Sequence, residues 1–84
     1  MYKVELTSEA KKDFKNLKKK KGRIALAFTI EEFKTSPDLG KKLRDDLRGK
    51  WSIRINGYRI IYVVNKKEKL VTILKIKQRA AVYN

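Results

Sequence analysis

With 84 residues the chain is long enough for one hydrophobic core, and its 23 Lys plus Arg against 9 Asp plus Glu give a formal net charge of +14. Hydrophobic residues at 42% supply enough apolar area to offset the entropy of ordering, which excludes a disordered chain and leaves a single domain spanning residues 1–84. The absence of Cys and His excludes a disulfide framework, a thiol nucleophile and the usual metal ligands, so no cofactor is expected and any catalysis falls to Arg, Lys, Tyr, Ser and carboxylates.

Taken in chain order, Met1 to Thr7 alternates, with Tyr2, Val4 and Leu6 on one side and Lys3 and Glu5 on the other, the period of a half-buried strand. Ser8 is placed to cap a helix over residues 8–20, with Glu9 in its first turn and Ala10, Phe14 and Leu17 at helical spacing. Gly22 is expected to end that helix. A second helix over Arg23 to Lys34 is carried by Leu26, Ile30 and Phe33 with Ile24, Ala27 and Phe28 flanking, and Pro37 closes it. Asp38 to Lys50 is ambiguous, since Leu39, Leu43 and Leu47 suit a short helix while Gly40 and Gly49 suit a loop; we expect mostly loop.

Beyond it, Trp51, Ile53 and Ile55 alternate with Ser52, Arg54 and Asn56, and Asn56-Gly57 is the preferred two-residue hairpin turn, with Tyr58 to Val64 returning. A third strand runs from Leu70 to Lys77 after a polar turn at Asn65 to Lys69. The expected fold class is α+β: an N-terminal strand and a two-helix hairpin packed on a small, mainly antiparallel sheet.

The surface this builds is cationic. Eight of the nine carboxylates precede Leu47, and from there to Asn84 ten Lys plus Arg face only Glu68. Such a surface attracts polyanions. A membrane is not an expected partner, because no apolar run approaches the ~20 residues of a spanning helix and no signal-peptide core is present; a cytoplasmic protein is expected.

Register sharpens the picture. A two-residue turn at Asn56-Gly57 sets Arg54 directly across from Arg59, and like charges so placed destabilise a hairpin by a few tenths to about 1 kcal/mol. Arg59 alone reads equally well as a solvated strand residue; opposite Arg54, an anion between the two is the simpler account. An odd-length loop, such as Lys66 to Glu68, would put Lys75 and Lys77 on the same face and gather Leu70, Leu74 and Ile76 with Trp51, Ile53 and Ile60. An even-length loop would drive both lysines into the core, where unpaired ammonium groups are very costly, so the odd loop is expected. Tyr58 and Tyr62 share the Trp51 face and read as core.

Leu47-Arg48-Gly49, Trp51-Ser52-Ile53-Arg54, Gly57-Tyr58-Arg59-Ile60-Ile61-Tyr62, Lys77-Gln78-Arg79 and Val82-Tyr83 together resemble the RelE toxins of the RelE/ParE toxin-antitoxin superfamily. The resemblance spans nearly the whole chain and implies a RelE-like, microbial ribonuclease-type fold. It further implies a metal-independent endoribonuclease that enters the ribosomal A site, cuts messenger RNA there and is neutralised by an acidic RelB-type antitoxin in a hetero-oligomer. By the same resemblance, Arg59, Arg54, Lys77 and Tyr83 are the catalytic set and Arg48 a further basic residue near the RNA. Lys50, Lys75 and Arg79, with Lys18 and Lys19 of the first helix end, complete the expected RNA-binding set; the last two read equally well as a solvated helix end. Two departures stand out: Ser52 occupies a position where active members carry lysine, and Lys77 replaces arginine. Tyr83 is either a proton-transfer group or an anchor for the tail; a phenol titrates near 10 and is a poor base unless cations lower that value. The alternatives are a ParE-like inhibitor of DNA gyrase that cuts no RNA, and an inactive relative that only binds antitoxin.

Overall fold

The computed structural model describes residues 1–43 and 49–78. Strand β1 (Lys3–Leu6) leads into helices α1 (Ser8–Lys15) and α2 (Lys20–Phe33), followed by strands β2 (Lys41–Lys42), β3 (Lys50–Ile55), β4 (Tyr58–Asn65) and β5 (Leu70–Gln78). The strands form one sheet in the order β1-β5-β4-β3-β2, antiparallel except that β1 runs parallel to β5. The α+β architecture is the one expected: helices cover one face of a mainly antiparallel sheet.

Ala10, Leu17, Leu26 and Phe33 from the helical layer meet Tyr58, Ile60, Tyr62, Val71, Ile73 and Ile76 from the sheet, all buried. Phe33 lies against Tyr62, ring centroids 4.4 Å apart, and Trp51 stacks on the other side of Tyr62. Both tyrosines belong to the core, as their register implies.

The helix boundaries differ from expectation for tertiary reasons. Thr7, not Ser8, caps α1, because its Oγ1 accepts from Ala10 N at 3.1 Å and donates to Leu74 O at 2.9 Å, serving the helix and β5 together. Helix α1 stops at Lys15 instead of running to 20: Arg23 folds back, its Nε donating to Leu17 O and its terminal nitrogen to Lys15 O, so the last carbonyls find a partner in the next helix. Gly22 is no C-cap. It sits buried in the first turn of α2, where a Cβ would fall 2.7 Å from the Tyr58 ring.

The 38–50 segment was expected to be mostly loop, yet it contains a short strand. Lys41 pairs with Ser52 and Lys42 with Trp51, and Leu43 N donates to Lys50 O. Gly40 permits this. Its amide donates to Tyr62 Oη at 2.9 Å, and a Cβ there would lie 2.5 Å from Ser52 O, so only a glycine lets the chain come this close.

The loop before β5 is of even length, correcting the odd loop expected. Asn65 pairs with Leu70 across the four residues 66–69, with Asn65 Oδ1 accepting from Glu68 N and Lys69 in the left-handed region at φ 53°. Val71 and Ile73 therefore fill the core in place of Leu70 and Leu74. A β-bulge then resets the register: Tyr62 pairs with Ile73 but Ile61 with Lys75, leaving Leu74 as the extra residue. Past it, Ile76 points inward, and Lys75 and Lys77 share the Arg59 face. The expected location of both lysines holds, by a different route. Where β1 ends, β5 would expose a bare edge; Asp13 Oδ2 accepts from Ile76 N at 2.9 Å and covers it.

Candidate functional site

The hairpin of β3 and β4 turns at Asn56 and Gly57, whose φ values of 47° and 81° match the type I′ turn that suits the twist of paired strands. Ile55 pairs with Tyr58, closing the turn, and Arg54 pairs with Arg59. That second pair is a non-hydrogen-bonded one, with Cα atoms about 4.5 Å apart and side chains close together. Arg59 in turn pairs with Lys77. Arg54, Arg59 and Lys77 thus form one row across three strands, on the face opposite the helices.

A second row, two residues further along, runs Lys41, Ser52, Ile61, Lys75. The rows are joined where Arg59 Nε donates to Ser52 Oγ at 3.0 Å, which orients the guanidinium and leaves its terminal nitrogens for a ligand. Arg54 and Lys77 are exposed, while Arg59 and Lys75 are half-buried among Ile61 and Leu74. Lys50, a row further still, lies on the same face beside Val63.

Among the described residues the single side-chain ion pair within 4 Å joins Lys34 to Glu31 on α2. Among the described residues the cations of the open face have no carboxylate within 4 Å, and an anion would relieve their mutual repulsion. Arginine forks and lysine ammonium groups in this arrangement suit phosphate oxygens.

Of the expected site residues, Arg54, Arg59 and Lys77 are brought together, with Lys75 and Lys50 on the same face. Lys18 and Lys19 are exposed in the connection between α1 and α2, part of the layer covering the other face. Arg48, Arg79 and Tyr83 lie outside the described residues. One cation escaped the sequence reading. Lys41 stands directly across from Ser52 on the open face, and the spacing of two between Leu39, Lys41 and Leu43, which puts all three on one side of a strand, was the signal available for it. Its neighbour Lys42 turns to the other side, over the Trp51 ring at 5.6 Å.

A family model described as the ParE toxin of the type II toxin-antitoxin system parDE matches residues 4–83. The toxin RelE of Mycobacterium tuberculosis is 34% identical over 83 residues, which is 98% of this chain and 86% of that protein. Among solved structures, the toxin-antitoxin complex RelBE2 of M. tuberculosis contains a chain with a TM-score of 0.83 and 31% identity, covering 94% of this chain and 92% of that one. The isolated RelE toxin of E. coli follows at a TM-score of 0.81 and 25% identity, covering 99% and 92%.

Proposed function

We propose that this chain, which belongs to the ParE toxin family of type II toxin-antitoxin systems, is a ribosome-dependent endoribonuclease that halts translation by cutting messenger RNA in the ribosomal A site. The observation that carries this reading is the row of Arg54, Arg59 and Lys77 across three strands of the open face. Three cations in register cost folding stability, and they are complementary in sign to the negative charge that builds on a phosphodiester in the transition state.

In the reaction, the ribose 2′-oxygen attacks the adjoining phosphorus and the bond from phosphorus to the 5′-oxygen breaks, leaving a 2′,3′-cyclic phosphate and a 5′-hydroxyl. One proton leaves the 2′-hydroxyl and one reaches the 5′-oxygen. Arg59, oriented by Ser52, and Arg54 across from it stabilise the charge that builds on the non-bridging oxygens. Lys77 sits beside Arg59 to neutralise the leaving oxygen. We assign the proton transfers to Tyr83, and phosphate contacts along the bound RNA to Arg48, Lys50, Lys75 and Arg79, with Lys18 and Lys19 meeting ribosomal RNA. With so little acid-base equipment, the chain depends on the ribosome to hold the substrate in line.

The partner in the resting state is an acidic RelB-type antitoxin. Two observations support it: the excess of 14 positive charges, which favours an acidic binder, and the apolar strip of Ile24 and Phe28 on α2, 48% and 68% exposed. The RelBE2 structure of M. tuberculosis, which contains a chain similar to this one, is a toxin-antitoxin complex.

Primer extension on messenger RNA in a translating extract tests the central claim. Cuts at A-site codons that vanish with Arg59→Ala are expected. The same assay weighs the ParE-like alternative: unchanged translation together with inhibited supercoiling would replace the ribonuclease reading with a gyrase block.

A further inference from the structure

Beside the arginine row, the open face is indented. A cleft of about 430 Å³ is lined by Leu39, Lys41 and Leu43 along one wall and by Ser52, Arg54 and Arg59 on its floor. Its size falls within the ~300–1,000 Å³ of small-molecule sites. We propose that this cleft is a nucleotide subsite, in which Lys41 binds the phosphate next to the one held by Arg54 and Arg59, and Leu39 and Leu43 receive the base.

Several observations converge on it. Among the described residues, the charged side chains lining the cleft are all cations: Lys41, Lys42, Arg54 and Arg59. Lys42 also borders the cleft, but its ammonium lies over the Trp51 ring at 5.6 Å, so of these two neighbours Lys41 is the one whose charge is left for the Arg59 face. Its Cα is one strand, about 4.8 Å, across from Ser52 and two residues, about 6.8 Å, along from the Arg54 row, which puts its charge beside the reacting phosphate and not on it. Ser52 is short and is already engaged with Arg59, so at this end of the second row the charge falls to Lys41, paired with it, while Lys75 stands at the other end.

The wall is also held in place. Gly40, between Leu39 and Lys41, is bonded to the hydroxyl of the buried Tyr62 and pressed against the Ser52 carbonyl, which ties the cleft to the core. Leucines on either side of a lysine suit a base plane adjoining a phosphate, whereas a site for phosphate alone has no use for them.

The inference rests on the RNA reading above for the identity of its ligand, and it can be tested apart from cleavage. The full chain, labelled with nitrogen-15, is titrated with adenosine 5′-monophosphate and, separately, with inorganic phosphate. The amides of residues 40–43 and 52–54 are expected to move, with half-saturation about tenfold lower for the nucleotide than for phosphate. Lys41→Gln should raise the nucleotide half-saturation about tenfold, the worth of one charged hydrogen bond, and Lys41→Arg should restore it. Leu43→Ser should abolish the preference for nucleotide over phosphate. Lys11→Gln, on exposed α1, should change either value less than twofold.

Movement confined to the lysines of the helices, or a Lys41→Gln effect no larger than that of Lys11→Gln, would overturn the subsite. If these shifts hold while A-site cuts are absent from the extract, the cleavage reading falls and the subsite stands. If A-site cuts occur and the cleft amides stay still, the reverse follows.

Discussion

The two faces of this sheet are made by the same strands, residue by alternate residue, and obey opposite rules. On the helix-covered face, Tyr58, Ile60, Tyr62, Val71 and Ile73 are buried together, and each contact lowers the free energy of the folded state. On the open face, Arg54, Arg59 and Lys77 stand side by side, and each neighbour raises it. Folding explains the first face. The second is a surface kept in an unfavourable arrangement by the stability of the first, as expected of a ligand site.

The contrast is most easily broken at Leu74. Deleting this bulge residue would turn Lys75 and Lys77 into the core and Ile76 out, burying two ammonium groups at several kcal/mol each. We expect no folded protein, read as loss of the dispersed amide spectrum. Next in size, Phe33→Ala on the core face should cost about 3–5 kcal/mol, measured from the urea midpoint, since Phe33 is fully buried against Tyr62.

The link between the faces is the Gly40–Tyr62 bond. Tyr62→Phe leaves the Gly40 amide without its partner, a loss of about 1–3 kcal/mol. The same tyrosine carries a pH signature. Burial pushes its phenol above the ordinary 10.0 and the charge of Asp38 adds to this, while the Gly40 hydrogen bond works the other way. The folded chain therefore holds the proton more tightly than the unfolded one, and its contribution is complete below pH ~10 and lost as pH rises through the folded value. Urea midpoints measured across that range should fall for the native chain and fall less for Tyr62→Phe.

The smallest effect on stability has the opposite sign. Arg54→Gln relieves the pairing with Arg59 and should stabilise the chain by a few tenths to about 1 kcal/mol, while lowering A-site cleavage by about 100-fold or more. A variant both less stable and fully active would erase the distinction between the faces.

What was legible in the sequence follows a physical divide. The Arg54–Arg59 pair could be read because Asn56-Gly57 dictates its own turn, and register propagates from it. Strand periods and the apolar stripe of α2 are likewise local. The bulge at Leu74 was not legible, since it reconciles a four-residue loop with the demands of a distant core. Lys41 was hidden because β2 exists only where Gly40 reaches the hydroxyl of Tyr62, 22 residues away. The N-cap passed from Ser8 to Thr7 for a similar reason: the hydroxyl chosen was the one that could also reach Leu74. The catalytic roles proposed for Arg54, Arg59 and Lys77 rest on the row they form and on the family.

The pairing of β1 with β5 joins Lys3 to Leu70 and Leu6 to Ile73, and the Thr7 hydroxyl beside it reaches Leu74, 67 residues on; this bears on the chain's own synthesis. Until β5 is made, β1 has no neighbour in the sheet, and α1 lacks Val71, Ile73 and Ile76 to pack on. The helices and the first hairpin emerge early and Phe33 can meet Tyr62, but Val71, Ile73 and Ile76 are still missing from the core, so full ordering waits for β5. On the function proposed above, a chain that cuts messenger RNA on the ribosome would thereby stay inert until β5 has been made.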